Sequence, residues 1–394
     1  MFALLLAILA GIALGLIAGI VPGLHPNTIA AVLSSLGIDA QLLPFAIIAL
    51  AAAATVFESL RAIFLFIPDT GTVLTLLPGH RMLMQGRGMR AVAICSLAFI
   101  ASTALAVLLL PLSLVLFPAL YLVIAPITPL LLLALSLVLL ASERKSRNVA
   151  SAALCFTLAG ALGLLLFNYP VVPEPLFPAF AGLFAVSGLV MGMARQRPLP
   201  PQRPAGSAPL SLLPIIAIGT LLAALADLLP GLSSPAQIAV FASIFTYMNS
   251  ERFLALTSSI ASSHLIFALS ALLTTGKARI GALAIAGEAV SRLTPEWVFA
   301  MAGTALFATG AAAFLLMPLA RKAVPLLASV RQRELNALVL AYLVSLIFLL
   351  GGGAPGLLVA AVASFIGALP PLLGVRRTHV MGFILLPSIA RLVF

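Results

Sequence analysis

Charge is nearly absent from this chain. Asp, Glu, Lys and Arg together make up 8% of its 394 residues, whereas a soluble domain carries about a quarter charged residues. An ordinary water-facing surface is therefore excluded. Cysteine is limited to Cys95 and Cys155. Both sit in apolar runs without metal-ligand spacing, which excludes a disulfide framework and leaves two small packing residues. The histidines, His25, His80, His264 and His379, are too scattered for a zinc helix. No GxSxG elbow, Walker A loop or HExxH motif occurs, and no paired nucleophile and base is visible, so the chain does not read as an enzyme. The net charge of +11 is spread over short loops. Without interleaved aromatics it speaks for cytoplasmic-loop bias and against nucleic acid.

What is abundant is apolar surface. Hydrophobic residues make up 63% of the chain, and its mean hydropathy is +1.24. A spanning helix needs about 20 mostly apolar residues, and stretches 91–110, 149–167, 176–194 and 335–350 approach or meet that. The runs are continuous and rich in Leu and Ala, which favours helices over the short alternating strands of an outer-membrane barrel. Phe2 to Ile20 lacks a basic n-region and reads as a retained span rather than a secretory signal. The expected fold is all-α: a polytopic transmembrane bundle of about 12–14 spans, counting short, broken or re-entrant segments.

Loop charges trace a topology. Placing Arg81/Arg87/Arg90, Glu143 to Arg147, Arg195/Arg197/Arg203, Arg321 to Arg333 and Arg376/Arg377 in the cytoplasm leaves an even number of crossings in each interval. Two spans are expected between Arg90 and Arg144, broken near Pro118. Both termini then lie outside, as do Lys277 and Arg279.

Residues 195–209, RQRPLPPQRPAGSAP, form the long polar, Pro-rich stretch and read as a cytoplasmic linker between a first repeat, 1–194, and a second, 210–394. The halves echo each other. GIVPGL at 19–24 recurs as DLLPGL at 227–232, IF at 63–64 recurs at 266–267, and Thr70-Gly71 recurs as Thr275-Gly276. About seven crossings per half, an odd number, predicts inverted repeats, a common transporter plan.

The short apolar segments after each PGL point to a binding site, because paired interrupted segments mark transporter sites. In GIVPGLHPNT the prolines lack N–H groups and Gly23 permits unusual backbone angles, so the helix should break at Pro22 and Gly23. The freed backbone, with His25, Asn27 and Thr28, is a candidate ligand site; the bland alternative is an interfacial turn. PGLSSPAQ supplies Gly231, Ser233, Ser234 and Gln237 in the second half. Asp69, Thr70, Gly71 and Thr72 form a candidate ligand or coupling-ion tip, with Glu58 and Arg61 upstream as an i, i+3 structural pair. Ser263, Thr275 and Lys277 occupy the matching place in the second half, where a basic, anion-attracting vestibule is one reading and a local topology error the other. His264 reads as a packed helix residue, and Arg376/Arg377 as an interfacial anchor.

Several motifs carry a family resemblance. GIVPGLHPNT, IPDTGTVLTLLPGHRMLMQGRG, LFPAFAGLFAVSGL and GVRRTHVMGFILLP resemble the large permease subunit of tripartite tricarboxylate transporters, the TctA family, and PGLHPN resembles its archaeal-type branch. The resemblance covers both halves. It implies an ion-driven secondary transporter, with a small membrane subunit and an extracytoplasmic binding protein as partners and a carboxylate as usual cargo. By position, Pro22, Gly23 and Asn27 match the first signature, and Pro68, Thr70, Gly71, Gly79 and Gly86 the second. Asp69 stands where the family usually has Gly, and His25-Pro26 replaces a small, Gly-rich continuation.

The expectation is thus a multi-pass plasma-membrane permease for a small organic anion. No cofactor is expected beyond a coupling ion, sodium or proton. The alternatives are a translocator of a lipid carrier such as a polyprenyl phosphate, and a membrane scaffold or enzyme without transport.

Overall fold

The computed structural model describes residues 2–21, 24–65, 76–141, 143, 146–169, 171–173, 175–194, 200–204, 206, 208–228, 248–328 and 332–393. Pro22, Gly23, Asp69, Thr70, Gly71, Thr72, Gly231, Ser233, Ser234 and Gln237 lie outside them. The described residues form helices and connecting turns without strands. In the first half these are α1 (Phe2–Ile20), α2 (Pro26–Ser35), α3 (Leu43–Leu60) with a π-helical continuation (Arg61–Leu65), α4 (Leu76–Met84), α5 (Gly88–Ala141) and α6 (Ser146–Asn168). Then come α7 (Leu176–Phe180), a second π-helical stretch (Ala181–Val186) and α8 (Ser187–Ala194). The second half contains α9 (Leu213–Leu228), α10 (Ser250–Thr275), α11 (Gly281–Glu288), α12 (Pro295–Ala328), α13 (Gln332–Leu350), α14 (Ala354–Leu373), a 3₁₀ turn (Arg377–Met381) and α15 (Gly382–Val393).

Among the described residues, eight helices are long and apolar enough to cross a membrane, and 176–191 and 336–350 are shorter apolar helices. The chain is a polytopic helical membrane protein. One expectation changes. The sequence predicts two spans broken near Pro118, but α5 runs as one helix of 54 residues through Pro111, Pro118, Pro126 and Pro129. A straight helix of that length measures about 81 Å, against a hydrocarbon core of about 30 Å. Burial lapses between Phe117 and Thr128, in the stretch that holds Pro118 and Pro126. Each proline removes one ladder hydrogen bond there without ending the helix.

Two parallel helix pairs build the core. Gly11, Gly15 and Gly19 lie on one face of α1 at the four-residue spacing that lets membrane helices approach closely. Built Cβ atoms there would collide in turn with Ala46, with Leu50 and Ala53, and with Phe57 of α3. In the second half Gly219 of α9 lies against Leu256 and Ser259 of α10. α10 also runs parallel to α5, and polar contacts mark the register from end to end. Arg87 and Arg90 hold Glu251, Ser258 donates to the Cys95 sulfur, Thr103 meets Ser262, Ser113 donates to Ser270, and Lys277 donates to Tyr121.

Loops that the charge pattern puts on one side do meet. The linker's Gln202 accepts from the Gly88 N–H at 2.9 Å, and the Arg203 N–H donates to the Gly86 carbonyl at 2.9 Å. Glu143 takes His379 Nε2 at 2.9 Å and the Arg376 N–H at 3.2 Å. Arg377 reaches the Phe184 carbonyl at 3.3 Å, within the second π-helical stretch. The two arginines therefore tie the C-terminal hairpin to the first half, a more specific task than interfacial anchoring.

Two predictions follow from this packing. Gly15→Ala should lower stability by about 1–3 kcal/mol through overpacking, read as a drop in Tm in detergent. Gly303→Ala, where an added Cβ meets nothing within 4 Å, should leave Tm unchanged or raise it. Equal effects at both sites would refute close packing as the cause. The second concerns pH. Burial pushes the Glu143 carboxyl up, but hydrogen bonds from His379 and Arg376 and their charges outweigh it and hold it below its ordinary value of 4.5. A depressed carboxylate stabilises the fold fully above that ordinary value and loses its contribution as pH falls through the lowered folded value. The Tm gap between wild type and Glu143→Gln should be constant above about pH 5 and close on further acidification.

Candidate functional site

The α2 helix begins where the chain leaves the PGL break. His25 is its N-cap, in extended conformation, and its Nδ1 accepts the Asn27 N–H at 3.2 Å. Pro26 fits the first turn because its missing N–H would have had no helical partner. Asn27 does more than start its own helix. Its Oδ1 accepts the Ala282 N–H at 2.9 Å, and its side chain lies over Gly281. Gly281 and Ala282 open α11, so an asparagine of the first half caps a helix of the second. Thr28 is exposed on the next position. The proposed ligand group at Asn27 is thus an interhelical clamp, which holds the first broken segment against the chain that follows Thr275-Gly276.

That chain bears the decisive cation. α10 ends at Gly276, whose φ of 68° closes the helix in the left-handed region that glycine adopts without strain. Lys277 then stays exposed, with Nζ 2.7 Å from the Tyr121 hydroxyl and above its ring. Two residues on, Arg279 is 9% exposed, and its Nε and Nη2 find no hydrogen-bond partner among the described residues. The buried basic group of this region is therefore Arg279 and not Lys277. Thr275 and Ser263 turn their hydroxyls back to their own helix, donating to Ala271 and Ser259, and keep lone pairs to accept with.

Arg279 acts electrostatically on Asp227. Asp227 is the penultimate residue of α9, 1% exposed, and it faces His264 of α10, 2% exposed. His264 Nδ1 lies 3.0 Å from one Asp227 oxygen and 2.9 Å from the other. The orienting carboxylate leaves His264 Nε2 buried without a partner among the described residues. His264 is midway between Glu251 and Lys277, about 20 Å from each at 1.5 Å per residue. The pair thus lies near mid-depth, where ionisable groups are costly.

The first half answers with a related contact. Arg61, 2% exposed, donates from Nη1 to the Val21 carbonyl at 3.3 Å, at the end of α1. Arg61 precedes Ile63-Phe64 by the same step at which His264 precedes Ile266-Phe267. In each half, then, a basic side chain reaches back to the residues just before PGL, Arg61 to Val21 and His264 to Asp227. His80 Nδ1 lies 3.3 Å from the Ile63 carbonyl, in a π-helical stretch whose looser ladder leaves such groups available.

Sequence reasoning named Arg279 beside Lys277 in the possible basic vestibule but took only Lys277 as a site residue, and it passed over Asp227. The signal was there: Asp227 is the one charged residue in LPIIAIGTLLAALADLLPGL, and an intramembrane carboxylate defaults to function. Among the described residues no group of three or more His, Cys, Asp or Glu side chains is placed to hold a metal ion.

Comparison with known proteins gives one match. The family model described as "Tripartite tricarboxylate transporter TctA family" covers residues 5–382. No curated protein and no solved structure matches the chain.

The Asn27 clamp is testable apart from any cargo. Asn27→Ala removes the cap and should cost about 1 kcal/mol, whereas Asn27→Asp keeps the acceptor and should cost less. An unchanged Tm for Asn27→Ala in detergent would remove the cap from the account.

Proposed function

This chain belongs to the tripartite tricarboxylate transporter TctA family, and we propose that it is a plasma-membrane permease that carries a small carboxylate by alternating access, driven by an ion gradient. The carrying observation is the Arg279 guanidinium, buried with two nitrogens unpartnered among the described residues. A guanidinium presents a planar fork that matches a carboxylate. Buried away from water it gains most from an anion that supplies the missing acceptors. Its surroundings suit a substrate site. Asn27 fastens the first half's broken segment to the helix that starts two residues after Arg279, and the Asp227–His264 pair closes the other side of the charge cluster. A lipid-phosphate cargo would call for a basic pocket open to the bilayer; the enclosed Arg279 favours a soluble anion.

Residues 1–194 and 210–394 act, on this reading, as two repeats of inverted topology joined by the linker at 195–209. The parallel pairs α1–α3 and α9–α10, each with a basic group reaching back to a helix end, support it. The exposed apolar flanks, with Leu108, Val115 and Leu122 on α5 and Phe365 on α14, leave room for lipid and for the small membrane subunit of a tripartite system. An extracytoplasmic binding protein would deliver cargo to the face bearing Lys277.

Purified protein in liposomes should accumulate a radiolabelled carboxylate from a panel including citrate when a proton or sodium gradient is imposed. Arg279→Gln should cut uptake by roughly 30–150-fold, the equivalent of a lost charged hydrogen bond of about 2–3 kcal/mol, with Arg279→Lys intermediate. Wild-type uptake by Arg279→Gln would refute the site, and no gradient-driven uptake across the panel would refute the permease.

A further inference from the structure

His264 is held for proton chemistry rather than for packing alone. When its Nδ1–H is donated to the Asp227 carboxylate, the ring keeps a bare lone pair on Nε2. That atom is buried and has no described partner. An imidazole oriented by a carboxylate on one nitrogen and open on the other is the arrangement that accepts a proton at the open atom. A histidine that only filled space would have no need of an aspartate buried beside it in an otherwise apolar helix, where an ionisable group is costly.

We infer that the Asp227–His264 pair is the coupling site of the permease, and that the ion it carries is a proton taken up on His264 Nε2 together with the cargo carboxylate on Arg279. The argument is charge balance. On this proposal Asp227 is the ionised partner of a neutral His264, and with the Arg279 guanidinium the cluster is neutral and can stand empty. A proton alone leaves one uncompensated positive charge, and a carboxylate alone leaves one negative charge. Either is costly in a low-dielectric interior. Proton and carboxylate together restore neutrality. The empty and doubly loaded states are therefore the stable ones, and these are the two that a symporter must move across the membrane. Leak states with one ligand are disfavoured by the same charge. No bond is made or broken except the N–H bond formed on Nε2 on one side and surrendered on the other.

Among the described residues, the other charges on the neighbouring helices have contacts of their own or lie toward helix ends. Of the helices packed on α9 and α10, α5 commits Arg87 and Arg90 to Glu251 at the far end, and its Cys95 accepts from Ser258. On α3, Arg61 holds Val21 and Glu58 lies one turn earlier; α4 carries His80 against Ile63, and Arg81. Glu288 ends α11, Glu296 and Arg321 lie near the ends of α12, and Arg252 is in the first turn of α10. Among the described residues Arg279 is the charged group, besides His264, that acts on Asp227.

The inference rests on the permease reading, and the experiment separates the two. Pyruvate, a monocarboxylate whose single charge matches this balance, is the probe, with protein in liposomes. At one proton per pyruvate, an inward gradient of about one pH unit supports roughly tenfold accumulation in wild type, with alkalinisation of the outer medium in step with uptake. Asp227→Asn and His264→Gln should reduce that accumulation to about onefold, collapsing its ratio to pyruvate–pyruvate exchange, which needs no net proton movement. Pyruvate accumulation without proton movement, driven by sodium alone, would overturn the proton assignment and leave the permease standing. So would variants that accumulate like wild type. The alkalinisation is read on wild type, so it decides the matter even if both variants fail to fold. Wild type that accumulates citrate but not pyruvate would overturn the one-proton balance and leave the permease standing, and no uptake or exchange across the whole carboxylate panel would sink both.

Discussion

A backbone that breaks inside a bilayer must find its hydrogen-bond partners within the protein, because lipid offers none. That constraint organises this molecule. α1 stops at Ile20, just before a PGL sequence, and its end leaves backbone carbonyls without helical partners. Arg61 meets the one at Val21. Asn27 meets another need by capping a helix in the opposite half. These contacts in turn require α3 and α10 to run close beside α1 and α9, which the small residues Gly11, Gly15, Gly19 and Gly219 permit. The broken segments, the close parallel pairs and the buried basic residues are one solution to one problem.

The bundle's class was legible because it depends on composition alone. Long apolar runs with 8% charge leave few folds in which every backbone group is paired. The pairing of loops was legible too, since Glu143 with Arg376 and the linker with the turn before α5 follow from which loops carry charge. The continuous α5 was not. Pro118 looked like a stop, yet a proline in a long apolar helix costs one ladder hydrogen bond and a bend, and α5 continues through both.

The candidate site proposed here adjoins the stretches that the sequence singled out, but its members differ in part. The repeat of PGL fixed attention on the stretches after each proline, and Asn27 does join the two halves there. But motif reading ranks residues inside the motif, so Lys277 was chosen over Arg279 two positions later. Only burial distinguishes them: one side chain is exposed beside Tyr121, and the other is enclosed. Asp227 borders its motif, and its partner His264 is 37 positions away in sequence. Nothing local in either segment says that they meet. The parallel packing of α9 on α10 says it, and that is a tertiary fact.

The two halves meet the shared problem with different chemistry. In the first, the Arg61 guanidinium donates to a backbone carbonyl, that of Val21. In the second, the His264 imidazole meets a side-chain carboxylate, that of Asp227. An imidazole is a group that can gain or lose a proton in place, whereas a guanidinium offers donors alone. On the reading proposed above, the protonatable contact therefore belongs to the second half, on the side of the Asn27 clamp that carries Arg279.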